Sequence, residues 1–225
     1  FIMLSEHDYK IFGEIEDIRE KIKEKNIAVS VLDYGAGTPS ENRTSSQMYK
    51  GVQKTISTKD LCEIGLKNNW AQALYSLVKE NEPNTILEMG TCCGFSSIYM
   101  AEASLNSQIF TIEGDESVAN IAKNNIDAAK CKNIIQYIGR FQDILMDVLH
   151  EIKNIDFAFI DGHHEKKATI EYFNIIKPYL SSRAIVVFDD ISWSSGMQEA
   201  WDIIKNDSDI KEYEDLEKIG VCYFK

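Results

Sequence analysis

This sequence predicts an α/β fold, a mostly parallel sheet covered by helices on both faces, on the strength of three observations. From about residue 59 to the C-terminus, segments with strand character alternate with segments of helical period. Several strand candidates, such as "FAFI" and "AIVVF", are continuously apolar, which requires burial on both faces. The 225 residues are 44% hydrophobic, enough for one sizeable core, and contain no internal repeat or low-complexity tract.

The elements follow in chain order. Residues 5–25 carry Ile11, Ile15, Ile18 and Ile22 at spacings of four, three and four, with a charged opposite face, so an amphipathic helix must dock there on something. An extended segment at 28–34 leads into a polar loop running to about residue 55, and a helix is expected over 59–81, before "NEPN". Strand and helix then alternate: "TILEMG", "SSIYMAEAS", "IFTIEG", "ESVANIAKNNIDAAK", "IIQYIG", "QDILMDVLHEI", "IDFAFIDG", "KKATIEYFNIIKPYL", "AIVVFDD" and "GMQEAWDIIKND". Two strands, "IKEYEDL" and "KIGVCYFK", close the chain around a short turn.

Two stretches, "VLDYGAGTPS" at 31–40 and "ILEMGTCCGFSS" at 86–97, each place an acid two positions before a glycine. After Gly37 come Thr38 and Pro39, and no apolar periodicity resumes for some twenty residues. After Gly90 the chain runs through Thr91, Cys92, Cys93, Gly94, Phe95 and Ser96 straight into a helix, whose free amides suit an anionic group such as a carboxylate. Glu113 and Gly114 end the next strand, and Glu113 lies twenty-three residues beyond Gly90, where a carboxylate can accept both hydroxyls of a ribose. The second stretch is therefore the nucleotide-type cofactor turn, entered through Glu88. Cys92 stands where a dinucleotide fingerprint has its middle glycine, which argues against a pyrophosphate ligand.

Asp161 ends "FAFIDGHH", and Asp189 and Asp190 end "VVFDDISW". Carboxyl ends of parallel strands share one edge, so the three acids should converge. Without an evident basic partner they repel unless one is protonated or a divalent cation joins them, and all-oxygen ligation suits Mg²⁺ or Ca²⁺ rather than Zn²⁺. The alternative is that they cap helices or rim a metal-free pocket.

With these residues in place, the region 59–225 resembles the class I S-adenosylmethionine-dependent methyltransferases: an acidic strand end and GxxxG-type turn, an acid ending the second strand, and a terminal two-strand hairpin. The resemblance implies a Rossmann-like, doubly wound seven-stranded sheet with an antiparallel last strand, S-adenosyl-L-methionine as cofactor, and an N-terminal helix and lid-like extension over 1–58. It places adenine near "GRFQD", with Phe141 and Gln142 as contacts, and gives Glu88, Gly90, Thr91, Cys92, Gly94, Phe95, Ser96, Glu113, Gly114 and Asp161 as the cofactor set.

The acid pattern is similar to that of the catechol-type, Mg²⁺-dependent O-methyltransferases, with Asp161 and Asp189 twenty-eight residues apart. Those enzymes have a basic lysine three positions past the first acid, where this chain has His164. The resemblance implies methyl transfer to a hydroxyl of a small molecule, with His164 or Asp161 collecting the proton and Asp161, Asp189 and Asp190 as candidate metal ligands. His163 and His164 read equally as loop residues at a helix start, and Trp193 as a rim aromatic. The "DYGAG" segment reads either as part of a lid bringing Tyr34, Arg43 and Tyr49 to a substrate or as a surface connection.

Composition narrows the partners. A net charge of -12 repels phosphate backbones, so no nucleic-acid partner is expected. There is no membrane-length apolar run and no basic-then-apolar leader, and the five cysteines form no CxxC pair, so a cytoplasmic protein with reduced thiols is expected. The helix at 5–25 is also a candidate homodimer surface. Two other functions stay open: a nucleotide-dependent oxidoreductase, and a non-catalytic cofactor-binding protein.

Overall fold

The computed structural model describes residues 2–225. Its main sheet has seven strands: β3 (Thr85–Met89), β4 (Gln108–Glu113), β5 (Ile134–Ile138), β6 (Ile155–Ile160), β7 (Leu180–Phe188), β8 (Ile210–Leu216) and β9 (Ile219–Phe224). They lie in the order β5-β4-β3-β6-β7-β9-β8, with β9 running against both neighbours and the pairs from β5 to β7 all parallel. This matches the expected doubly wound sheet with an antiparallel last strand. The chain winds outward from β3 through β4 to β5, then returns to β6 on the other side of β3. That reversal opens a crevice at the carboxyl ends of β3 and β6, where open α/β sheets bind ligands.

The apolar strands split by their period of two into two cores. Ile86, Phe157, Phe159, Ile185 and Val187 face one side, against α4 (Asn68–Asn81), α5 (Phe95–Ala103) and α6 (Glu116–Ala129). Leu87, Met89, Ala158, Ile160, Val186 and Phe188 face the other, against α7 (Phe141–Ile152), α8 (Lys166–Ile176) and α9 (Ser195–Ile204). Such strands read as unbroken hydrophobic runs because neither face meets water.

The N-terminal helix α1 (Glu6–Lys25) forms as its isoleucine spacing predicts and docks on the first core through Phe12 and Ile15. Its capping box pairs Ser5 with Asp8. The buried Asp8 carboxylate also accepts from the Tyr75 hydroxyl at 2.6 Å and from Lys79 of α4 at 2.5 Å, which fixes the start of the helix to the body.

Two elements depart from expectation. The helix expected over 59–81 is broken into α3 (Thr58–Ile64) and α4, with Gly65 ending the first and Asn68 at φ 54° opening the second. The buried Arg19 guanidinium donates to the Cys62 and Leu66 carbonyls, both at 2.9 Å, and so satisfies backbone groups that the break frees. The polar loop to residue 55 contains a short helix, α2 (Ser45–Lys50), and a strand, β2 (Val52–Ser57), paired antiparallel with β1 (Ala28–Asp33). β2 escapes the sequence pattern because none of its side chains is fully buried and it carries polar residues along its length. Among the described residues, no helix is long and apolar enough to cross a membrane.

Candidate functional site

The carboxyl ends of the central strands are stepped together by backbone hydrogen bonds. Gly90 N donates to Ile112 O at 3.0 Å, Asp161 N to Met89 O at 2.9 Å, and Asp189 N to Ile160 O at 2.9 Å. The turn after β3, the acid after β6 and the acid pair after β7 therefore lie along one edge. Gly90 sits at φ 112°, and a Cβ there would fall 1.9 Å from Asp161 O, so only glycine allows the turn and the β6 end to approach this closely.

The turn is bound to the end of β4 through Glu113. One carboxylate oxygen accepts from Cys92 N at 2.9 Å and the other from Asp115 N at 3.0 Å. Burial, only partly opposed by these two amides, pushes the Glu113 carboxyl up to about 7. Beneath the turn, Glu88 is fully buried; one oxygen takes the Ser97 and Thr111 hydroxyls, while Oε1 has no partner among the described residues. Burial raises Glu88 to about 7 as well.

A cavity of about 470 Å³ opens over this edge. Of the residues expected from sequence, Gly90, Cys92, Glu113, Gly114, Phe141, Gln142, Asp161, His163, His164, Asp190 and Trp193 line it. Glu88, Thr91, Gly94, Phe95, Ser96 and Asp189 are not in its wall. Phe95 instead packs in the core beneath the Arg19 guanidinium, 4.0 Å from its ring centre. Gly94 caps α5 at φ 83°, and Thr91 ties the turn to Thr111 at 2.6 Å.

Over the cavity lies the segment between β1 and β2, which the sequence left open as lid or surface connection. Leu32 N donates to Asp115 Oδ2 at 2.8 Å, Ala36 N to His163 O at 2.9 Å, and the Gln142 amide to Tyr49 O at 3.1 Å. Tyr34 packs so tightly on Gly114 that a Cβ there would meet its ring at 2.7 Å. Arg43 is buried beneath the segment, bonded to Asp33, Glu41 and the Gly35 carbonyl, so it holds the cover together and does not itself line the cavity. Tyr49 packs edge-on against His163 at 4.6 Å.

At the far end of the cavity His164 Nε2 lies 3.4 Å from Asp161 Oδ1 and 3.9 Å from Asp190 Oδ2. Burial opposes its charge, but the surrounding aspartates outweigh burial and raise its pKa above the ordinary histidine value. His163 is engaged with the protein: its Nδ1 meets the Tyr172 hydroxyl at 3.2 Å, and burial lowers its pKa to about 4. His163, His164 and Asp190 all hold positive φ, at 70°, 45° and 54°. Backbone strain of this kind in non-glycine residues clusters at functional sites.

Lys218, in the turn between β8 and β9, was not singled out in the sequence. Its ammonium donates to Asp189 Oδ1 at 2.6 Å and also to Oδ2, and lies 2.9 Å from Asp190 Oδ1. The signal was available in the terminal hairpin: because β9 runs antiparallel, pairing Gly220 with Phe188, the preceding turn must fall at the carboxyl end of β7. The premise that the three acids converge without a basic partner is thus corrected. As a donor set for Mg²⁺ or Ca²⁺ the cluster does not fit, since an ammonium already takes both oxygens of Asp189 and one of Asp190. Among the described residues no group of three or more His, Cys, Asp or Glu is arranged to hold a metal ion.

Comparison with known proteins agrees with this geometry. A family profile described as a methyltransferase domain matches residues 87–191. A catechol O-methyltransferase of Niastella koreensis is 31% identical over 151 residues, which cover 64% of this chain and 67% of that protein. An O-methyltransferase of Aspergillus flavus is 30% identical over 56% of this chain and 52% of its own, so the chain spans about half of that relative. Among solved structures, an O-methyltransferase from Bacillus cereus in complex with SAH superposes with a TM-score of 0.63 at 20% identity, covering 74% of this chain and 85% of that one. A glycine turn after the first core strand, an acid ending the next and a sheet order of this kind, in a chain aligned at this identity over two thirds of a catechol O-methyltransferase, identify it as a member of the class I S-adenosylmethionine-dependent O-methyltransferases.

Proposed function

We propose that this protein binds S-adenosylmethionine in the cavity over β3 and β4 and methylates a hydroxyl of a small molecule held beneath the β1–β2 segment. The observation that carries this reading is the Glu113 carboxylate, facing the cavity across the Gly90 turn with each oxygen already oriented by one backbone amide. Each oxygen keeps a lone pair for a ribose hydroxyl. Fit to the cofactor is supported by the close approach at Gly90, where a side chain would drive the turn and the end of β6 apart.

S-adenosylmethionine, when bound, supplies a methyl group already activated on a sulfonium centre. The chain's own part is to bind, orient and take a proton. Phe141 and Gln142, at the start of α7, flank the adenine side, and the Gly90–Cys92 backbone receives the amino-acid end. The covering segment, with Tyr34 against Gly114 and Tyr49 against His163, keeps water from the transfer site. His164, oriented by Asp161, accepts the hydroxyl proton from the acceptor.

Calorimetry with S-adenosylmethionine and S-adenosylhomocysteine, followed by transfer assays on a panel of hydroxylated acceptors, tests this. His164→Gln should lower kcat by about 10²-fold or more with cofactor affinity retained. No heat with either ligand would overturn the reading.

A further inference from the structure

We infer that Lys218 is a built-in substitute for a divalent cation: its ammonium holds Asp189 and Asp190 where a metal would otherwise be needed, so acceptors are bound and deprotonated at His164 without metal chelation. Three observations carry this. First, Asp189 is buried, 4% exposed, so a carboxylate there needs a partner close at hand. Second, the ammonium is placed to neutralise two carboxylates at once, bonding both oxygens of Asp189 and one of Asp190. Third, its approach is fixed from outside the strand ends, because Ile191 N donates to Lys218 O at 3.0 Å and so ties the hairpin turn to the segment after Asp190. Facing the cluster are Lys218 from the β8–β9 turn and His164 from the segment after β6, and the ammonium alone occupies three of the carboxylate oxygens.

The consequence concerns substrate class and rests on the proposed methyl transfer. A metal that chelates an acceptor selects two adjacent oxygens, because both enter its coordination sphere. An ammonium already committed to two carboxylates imposes no such demand. Asp190 and His164 line the cavity and Lys218 does not, so Lys218 acts as a positioning residue that holds Asp190 beside His164. Acceptors with a single hydroxyl should serve as well as those with a vicinal pair.

The test is binding of Mn²⁺ alone, followed by electron paramagnetic resonance, to the full chain and to Lys218→Met and Lys218→Arg. This readout does not involve the methyl donor, so its failure is distinct from failure of the transfer reading. Wild type and Lys218→Arg should bind Mn²⁺ no better than bulk surface carboxylates. Lys218→Met uncovers a triad of carboxylates and should bind one ion at least about tenfold more tightly, with Asp161→Asn removing the gain. A merely structural lysine would not produce a gained metal site. Tight one-to-one Mn²⁺ binding by wild type, which needs no variant to fold, overturns the proposal, as does a folded Lys218→Met that gains none. In parallel, transfer to phenols with one hydroxyl in excess chelator should equal transfer to catechols; strict dependence on a vicinal pair and on added Mg²⁺ also overturns it.

Discussion

Protonation of Glu113 should weaken cofactor binding in the physiological pH range. Its carboxyl is pushed up to about 7 by burial, and the ligand's ribose hydroxyls can only donate to it, so binding favours the ionised form. Affinity therefore falls as pH drops through 7. If only the ionised form binds, the dissociation constant rises about tenfold between pH 8 and pH 6, or about 1.4 kcal/mol. Glu113→Gln should flatten this dependence and cost about 1.5–3 kcal/mol of affinity, because an amide has one acceptor oxygen where the Cys92 and Asp115 amides now use two. The assay is calorimetric titration of S-adenosylhomocysteine from pH 6 to pH 8, with Glu88→Gln as control because Glu88 is raised to about 7 too. A flat profile for wild type, a slope that survives in Glu113→Gln, or one that vanishes only in Glu88→Gln would refute the reasoning.

The same two carboxyls bear on stability without ligand. Their folded pKa values of about 7 exceed the ordinary 4.5, so the folded protein holds protons that the unfolded chain has released. Their contribution should be most favourable below pH 4.5 and be lost as pH rises through 7, visible in urea midpoints of wild type against the Glu88→Gln, Glu113→Gln double variant. Gly90→Ala forces a Cβ to within 1.9 Å of Asp161 O and should abolish cofactor binding in calorimetry even where the protein still folds. Asp8→Ala removes the acceptor shared by Tyr75 and Lys79 and should lower unfolding free energy by about 2–3 kcal/mol, measured in urea. Arg43→Met removes the guanidinium bonds that tie Asp33, Glu41 and the Gly35 carbonyl together; limited proteolysis should then cut between residues 33 and 50 several times faster than in wild type.

The sequence by itself determined the doubly wound sheet, the terminal hairpin, the docking helix and the strand-end positions of Gly90, Glu113, Asp161 and Asp190. These are legible because each depends on local information: a period of two or 3.6, a glycine where a strand turns into a helix, an acid at a strand's last position. Parallel strands then carry such residues to one edge without further instruction. Only the tertiary structure decided what meets across elements. Arg19 meets the ends of α3 forty-odd residues away because a helix break leaves carbonyls there to satisfy. Leu32 reaches Asp115 because β1 pairs with β2 and is drawn down on α6. Lys218 lands on Asp189 and Asp190 because β9 alone runs backward in the sheet. Such contacts depend on register and strand order, which no window of neighbouring residues encodes, and so three acids that read either as metal ligands or as a metal-free rim meet, once folded, a lysine from the terminal hairpin.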